Sequence, residues 1–124
     1  MIIIDDFVPD GFAITIDEIE SDSRGGKEKY KEWIRIVEGR FNDILNFRQN
    51  ATGHGCIFLN EVYDWFNAKR TKAGQLVGWR YKKGDPNHIR FSVVEDGDNL
   101  IILFNIDGII IEELDKPIEP KPSL

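Results

Sequence analysis

Leu100-Ile101-Ile102-Leu103-Phe104 is apolar at every position. A short run of this kind, set between Asp96-Gly97-Asp98-Asn99 and Asp107-Gly108, reads as a β-strand. Side chains alternate between the two faces of a sheet, so a strand apolar throughout needs cover on both sides. Helices of the same chain can cover one face. The N-terminal strand, or another chain, must cover the other, which makes this run the first sign of an interface. Two further strands are expected beside it. Ile89, Phe91 and Val93 alternate with Arg90 and Ser92, and the segment 109–114 follows the Asp-Gly pair. Asp107-Gly108 suits a two-residue type I′ hairpin, so the last third is predicted to be a three-stranded meander.

The cover for one face is legible upstream. Tyr30, Trp33, Ile34, Val37, Phe41, Ile44 and Leu45 recur at steps of three and four, which predicts an amphipathic helix from about Lys27 to about Gln49. Lys31, Glu32, Arg35, Glu38 and Asp43 fall mostly elsewhere on its surface, and Asn50-Ala51-Thr52-Gly53 reads as its stop. Asn60 can cap a short helix over 61–67, and Thr71 a second over 72–77. Upstream, Phe12, Ile14 and Ile16 alternate as a short strand, and 17–26 is acidic, then glycine-rich, and reads as a flexible connection or exposed turn. The expected fold is therefore α+β: one long and two short helices packed on a small, mainly antiparallel sheet. The expected organisation is an N-terminal arm and connection over 1–26, a single domain over 27–114, and a tail over 115–124. Pro117, Pro120 and Pro122 should hold that tail extended, near polyproline II.

Composition narrows the function. A chain of 124 residues is one domain, and 41% hydrophobic with 31% charged residues fits a globular protein. No stretch approaches the roughly 20 apolar residues of a membrane span, and Met1-Ile2-Ile3-Ile4 lacks the basic start of a signal peptide. One cysteine, Cys56, excludes an internal disulfide framework and fits a reducing compartment. The net charge is −6, yet residues 69–90 carry seven cations and one acid, or +6, leaving −12 for the remainder. Bulk acidity argues against a general nucleic-acid binder, whereas a local basic face can meet an acidic neighbour.

Motifs for chemistry are sparse. Gly53-His54-Gly55-Cys56 holds the one His/Cys pairing, and a nucleophile or zinc reading of it lacks supporting ligands, His88 being the other histidine. Cys56 then reads as a small buried hydrophobe after a glycine turn. Asp96–Asn99 lacks the glycine and glutamate positions of a calcium loop. No Gly-x-Ser-x-Gly, His-Glu-x-x-His or phosphate-loop pattern occurs. The chain reads as non-enzymatic, with no cofactor or metal. The two short helices give a helix-turn-helix outline with Arg70, Lys72, Gln75 and a basic wing over 80–90. The second helix is barely two turns and contains Gly74, which counts against a recognition helix.

Leu59-Asn60-Glu61-Val62-Tyr63, followed by Thr71-Lys72-Ala73-Gly74-Gln75-Leu76-Val77-Gly78-Trp79, resembles a pattern in small uncharacterised proteins of bacteriophages, prophages and mobile elements. There the form is LN-x-[V/F]-Y, then T-x-x-G-x-x-x-G-W, then a meander with an Asp-Gly turn. The resemblance spans roughly residues 53–110 and brings no catalytic role. Together with the strand apolar on both faces and the proline-rich tail, it points to a non-enzymatic phage protein acting through protein–protein contact, above all a minor virion component, oligomeric or part of an assembly. An accessory protein that binds a host defence protein, or a small DNA-binding regulator, stands behind it. The expected location is the virion or the bacterial host cytoplasm. The expected contact residues are Arg80, Lys82, Lys83, Ile102, Phe104, Pro117, Pro120 and Pro122.

Overall fold

A computed structural model describes residues 12–111. The expectations for Ile2–Ile4, for the end of the last strand, and for Pro117, Pro120 and Pro122 lie outside the described residues. The apolar run forms β5 (Asn99–Phe104), the middle strand of a three-stranded antiparallel sheet. On one side it pairs with β1 (Ala13–Ile16), with Ile14 opposite Ile102. On the other it pairs with β4 (Phe91–Asp96), with Phe91 opposite Phe104. Asp96 pairs with Asn99, so Gly97 and Asp98 make the turn, and Gly97 supplies its positive φ of 61°.

Of the two readings of 17–26, the exposed turn holds for residues 23–25, while a one-turn helix precedes it in place of a loose connection. Asp17 caps a one-turn helix, α1 (Glu18–Asp22), its carboxylate accepting from the Glu20 amide at 2.8 Å. Glu18 and Glu20 lie in the first turn, where the exposed amides favour negative charge. The long helix, α2 (Lys27–Thr52), forms as its periodicity requires and ends at Gly53 in the left-handed conformation. Tyr30, Ile34, Val37, Phe41 and Leu45 are all buried along one face.

A second sheet is built from β2 (Cys56–Phe58), β3 (Val77–Arg80) and β6 (Gly108–Ile109), in the order β2-β3-β6. Gly78 sits where the strands close in: a Cβ there would fall 1.9 Å from the Ile57 carbonyl oxygen. The third strand of the C-terminal run therefore hydrogen bonds to β3 and does not fold back on β5. Asp107-Gly108 is not the expected hairpin. Asp107 accepts from the Arg80 amide at 2.8 Å and lies 2.7 Å from His88 Nε2, and Gly108 pairs with Gly78. These long-range partners outweigh the local turn preference. The crossing between sheets is pinned by Asn105. Its Oδ1 accepts from Trp79 Nε1 and the Arg90 amide, and its Nδ2 donates to the His88 carbonyl.

The core lies between the first sheet and the helices. Leu100, Ile102 and Phe104 point into it, against Phe66, Tyr63, Trp79 and Phe91. Phe91 and Phe104 meet edge to face at 5.1 Å, the geometry aromatic quadrupoles favour. The edge of β4 is closed by side chains of α2. Asn42 accepts from the Ile89 amide and donates to the Ile89 carbonyl, both at 2.9 Å. Glu38 accepts from the Phe91 amide and Arg35 donates to the Phe91 carbonyl. Lys27 and Lys31 continue the seam to Glu95. A helix thus takes the place of a fourth strand and blunts an edge open to strand addition.

Candidate functional site

The residues of the LN-x-V-Y and T-x-x-G-x-x-x-G-W pattern converge at the junction of the second sheet with α3 (Leu59–Trp65) and a 3-10 turn, Ala73–Gln75. Asn60 is inside α3 and does not cap it. Its amide accepts from Thr71 N at 3.0 Å and donates to Thr71 O at 2.9 Å, holding the Thr71 backbone through both its N–H and its C=O. The Glu61 side chain reaches back instead to the Phe58 amide. Thr71 Oγ1 accepts from Gly74 N, and a Cβ on Gly74 would collide with Asn60 Oδ1 at 2.1 Å. Tyr63 meets Phe104 at a tilt, with ring centroids 5.8 Å apart, and Trp79 meets it edge-on at 6.4 Å. The expected second helix over 72–77 shrinks to the 3-10 turn because Val77 onward is drawn into β3. The recognition helix of a helix-turn-helix is not formed.

Beside this junction lies an open groove of about 610 Å³, lined by Phe58, Asn60, Glu61, Arg70, Lys72 and Gln75 among others. Two of its charged residues are already partnered. Arg48 makes two bonds to Glu61, at 3.0 and 2.7 Å, which raise the guanidinium pKa further. Arg70 is forked onto Asp64, and this contact holds the Asp64 carboxyl below its ordinary value. The groove presents Lys72 and the side-chain amides of Asn60 and Gln75. Among the described residues no cluster of three or more His, Cys, Asp or Glu side chains could hold a metal ion. His54 and Cys56 are both half-buried, and the Cys56 carbonyl accepts from Arg48.

The expected contact residues divide. Ile102 and Phe104 are 0% and 2% exposed and belong to the core, so neither can meet a partner. Alternation along β5 sends Ile101 and Leu103 to the other face, half-buried and outside the core cluster, beside Val94 of β4 at 47% exposed. Arg80 straps β3 to β6, Nη2 donating to the Ile109 carbonyl at 2.9 Å. Lys82 and Lys83 are exposed on the loop after β3, with no ion pair among the described residues. Arg90 lies 3.8 Å from Asp85. The basic segment is thus partly neutralised by its own fold.

A second apolar surface was not expected. Ile36 and Phe47 are 52% and 71% exposed on the outer side of α2. The sequence holds its trace: both residues stand outside the three-and-four pattern that defines the buried face.

No described helix is long and apolar enough to cross a membrane. No curated protein and no solved structure matches the chain. A family of unknown function, DUF6353, matches residues 18–112, from α1 to just beyond β6, and the chain belongs to it.

Proposed function

We propose that this is a non-enzymatic bacteriophage protein that acts through protein–protein contact, as a minor structural component of the virion. One observation carries the contact reading: the outer face of the first sheet. Ile101 and Leu103 on the middle strand, half-buried and outside the core, and Val94 beside them at 47% exposed form an aliphatic surface on the side away from the core. Contiguous apolar surface on a small domain marks an interaction site, and fully burying such a side chain stabilises a contact by about 1.5–3 kcal/mol. Lys82 and Lys83 add exposed positive charge, which steers an acidic neighbour more than it holds it. The phage setting rests on the resemblance carried by Leu59–Tyr63 and Thr71–Trp79.

The test is quantitative mass spectrometry of purified particles from a phage encoding this chain, wild type against Leu103→Asp. The chain should be present at a few copies per particle. The variant should melt within a few degrees of wild type and be lost from particles. A chain missing from particles but held in a host complex would refute the virion role and favour the accessory one.

A further inference from the structure

We infer that the outer face of α2 binds a second copy of this chain, the two helices running antiparallel about a two-fold axis. The inference is independent of the sheet-face reading above. It begins with a side chain out of place. Phe47 is 71% exposed and Ile36 52%, on a helix whose other side supplies much of the core. At 3.6 residues per turn, Ile36, Arg40, Asp43 and Phe47 share one stripe, about 16 Å long.

The order of residues on that stripe is self-complementary. The point midway between positions 41 and 42 is equally far from Ile36 and Phe47, and equally far from Arg40 and Asp43. A two-fold axis through that point brings each Ile36 against the Phe47 of the second copy. It brings each Arg40 towards the Asp43 of the second copy. An isologous contact needs this property, because the same patch must fit itself. A parallel arrangement instead sets Arg40 beside Arg40 and Asp43 beside Asp43.

The charges on the stripe are available. Elsewhere along α2, residues of opposite charge three apart pair within the chain: Lys31 with Glu28, Lys29 with Glu32, Arg35 with Glu38. Arg40 and Asp43 have the same spacing and are exposed, yet neither has an ion pair among the described residues. Gly39, on the flank, has nothing within 4 Å of where its Cβ would be, which leaves space for the second helix to approach. Two single-helix stripes bury an area at the low end for specific complexes, so the dimer should be weak and concentration-dependent.

The test is sedimentation equilibrium of the full chain, with circular dichroism to confirm folding. Wild type should show a reversible monomer–dimer equilibrium. Phe47→Asp should abolish the dimer. Arg40→Asp alone, and Asp43→Arg alone, should each weaken it at least about tenfold by setting like charges together. An equimolar mixture of those two charge variants should restore it, since each stripe then faces its complement. Leu103→Asp should leave it intact. A wild type that stays monomeric at millimolar concentration overturns the inference. So does a dimer that survives Phe47→Asp, or charge variants that the mixture fails to rescue.

Discussion

Asn42→Ala measures how much of the fold depends on α2 acting as a strand. The Asn42 amide makes two 2.9 Å hydrogen bonds to the Ile89 backbone, one in each direction, and Ile89 is completely buried. The truncation leaves a buried N–H and a buried C=O without partners. Each orphan costs about 1–3 kcal/mol. Water reaching the vacated space offsets part of the loss, so about 2–5 kcal/mol is expected overall. That is a large share of the 5–15 kcal/mol typical of a domain, and it corresponds to a fall in melting temperature on the order of 10 °C. Urea denaturation reads it directly: the midpoint should fall with the slope unchanged, and the Ile89 amide should lose hydrogen-exchange protection. Asn42→Asp sharpens the result. The introduced carboxylate still accepts from Ile89 N but sets negative charge against Ile89 O. Burial raises its folded-state pKa, so this variant should be weakest at neutral pH and recover as pH falls and the carboxyl regains a donor proton. A loss under about 0.5 kcal/mol for Asn42→Ala, the size of a neutral surface change, would refute the claim that helix side chains hold this edge.

Three further outcomes follow from the same structure. The Tyr30 hydroxyl is buried without a hydrogen-bond partner among the described residues, and burial, reinforced by Glu20, pushes its pKa from 10.0 to about 12. Tyr30→Phe should therefore be neutral or stabilising by about 1 kcal/mol. It should also remove the loss of stability that wild type shows as pH rises from 10.0 towards about 12, which thermal melts across that range will detect. Lys31 and Lys27 hold the Glu95 carboxyl below its ordinary value. Its contribution is present at neutral pH and lost as pH falls through the lowered folded-state value, so Glu95→Gln should flatten the acid limb of a stability–pH profile. Gly78→Ala sets a Cβ against the Ile57 carbonyl, and the strands cannot part without breaking the second sheet. It should cost more than about 3 kcal/mol and yield little soluble protein on expression.

The helix over 27–52 and the strands at 13–16, 91–96 and 99–104 were legible because their signals are local. Apolar residues at steps of three and four, or of two, or in a short unbroken run between turn residues, select a backbone whatever lies beyond. The α1 turn was missed because an acidic stretch reads as solvated, although Asp17 and the acids after it are also what a helix start contains. The candidate surfaces were half legible. That β5 leaves an apolar face over could be read from its composition, but an unbroken apolar run holds no alternation to say which face. The run alone therefore points to residues 102 and 104 as contacts, whereas 101 and 103 lie on the face away from the core.

The sequence by itself determined the α+β class, the long helix, the antiparallel strands and the surplus of apolar and basic side chains, since each follows from periodicity or a count. Tertiary structure decided which of two Asp-Gly pairs makes the hairpin, which side of β5 is buried, and which cations are neutralised. Asp96-Gly97 and Asp107-Gly108 have the same local chemistry. They part ways because Asp107 finds Arg80 and His88, residues far along the chain that only packing brings near.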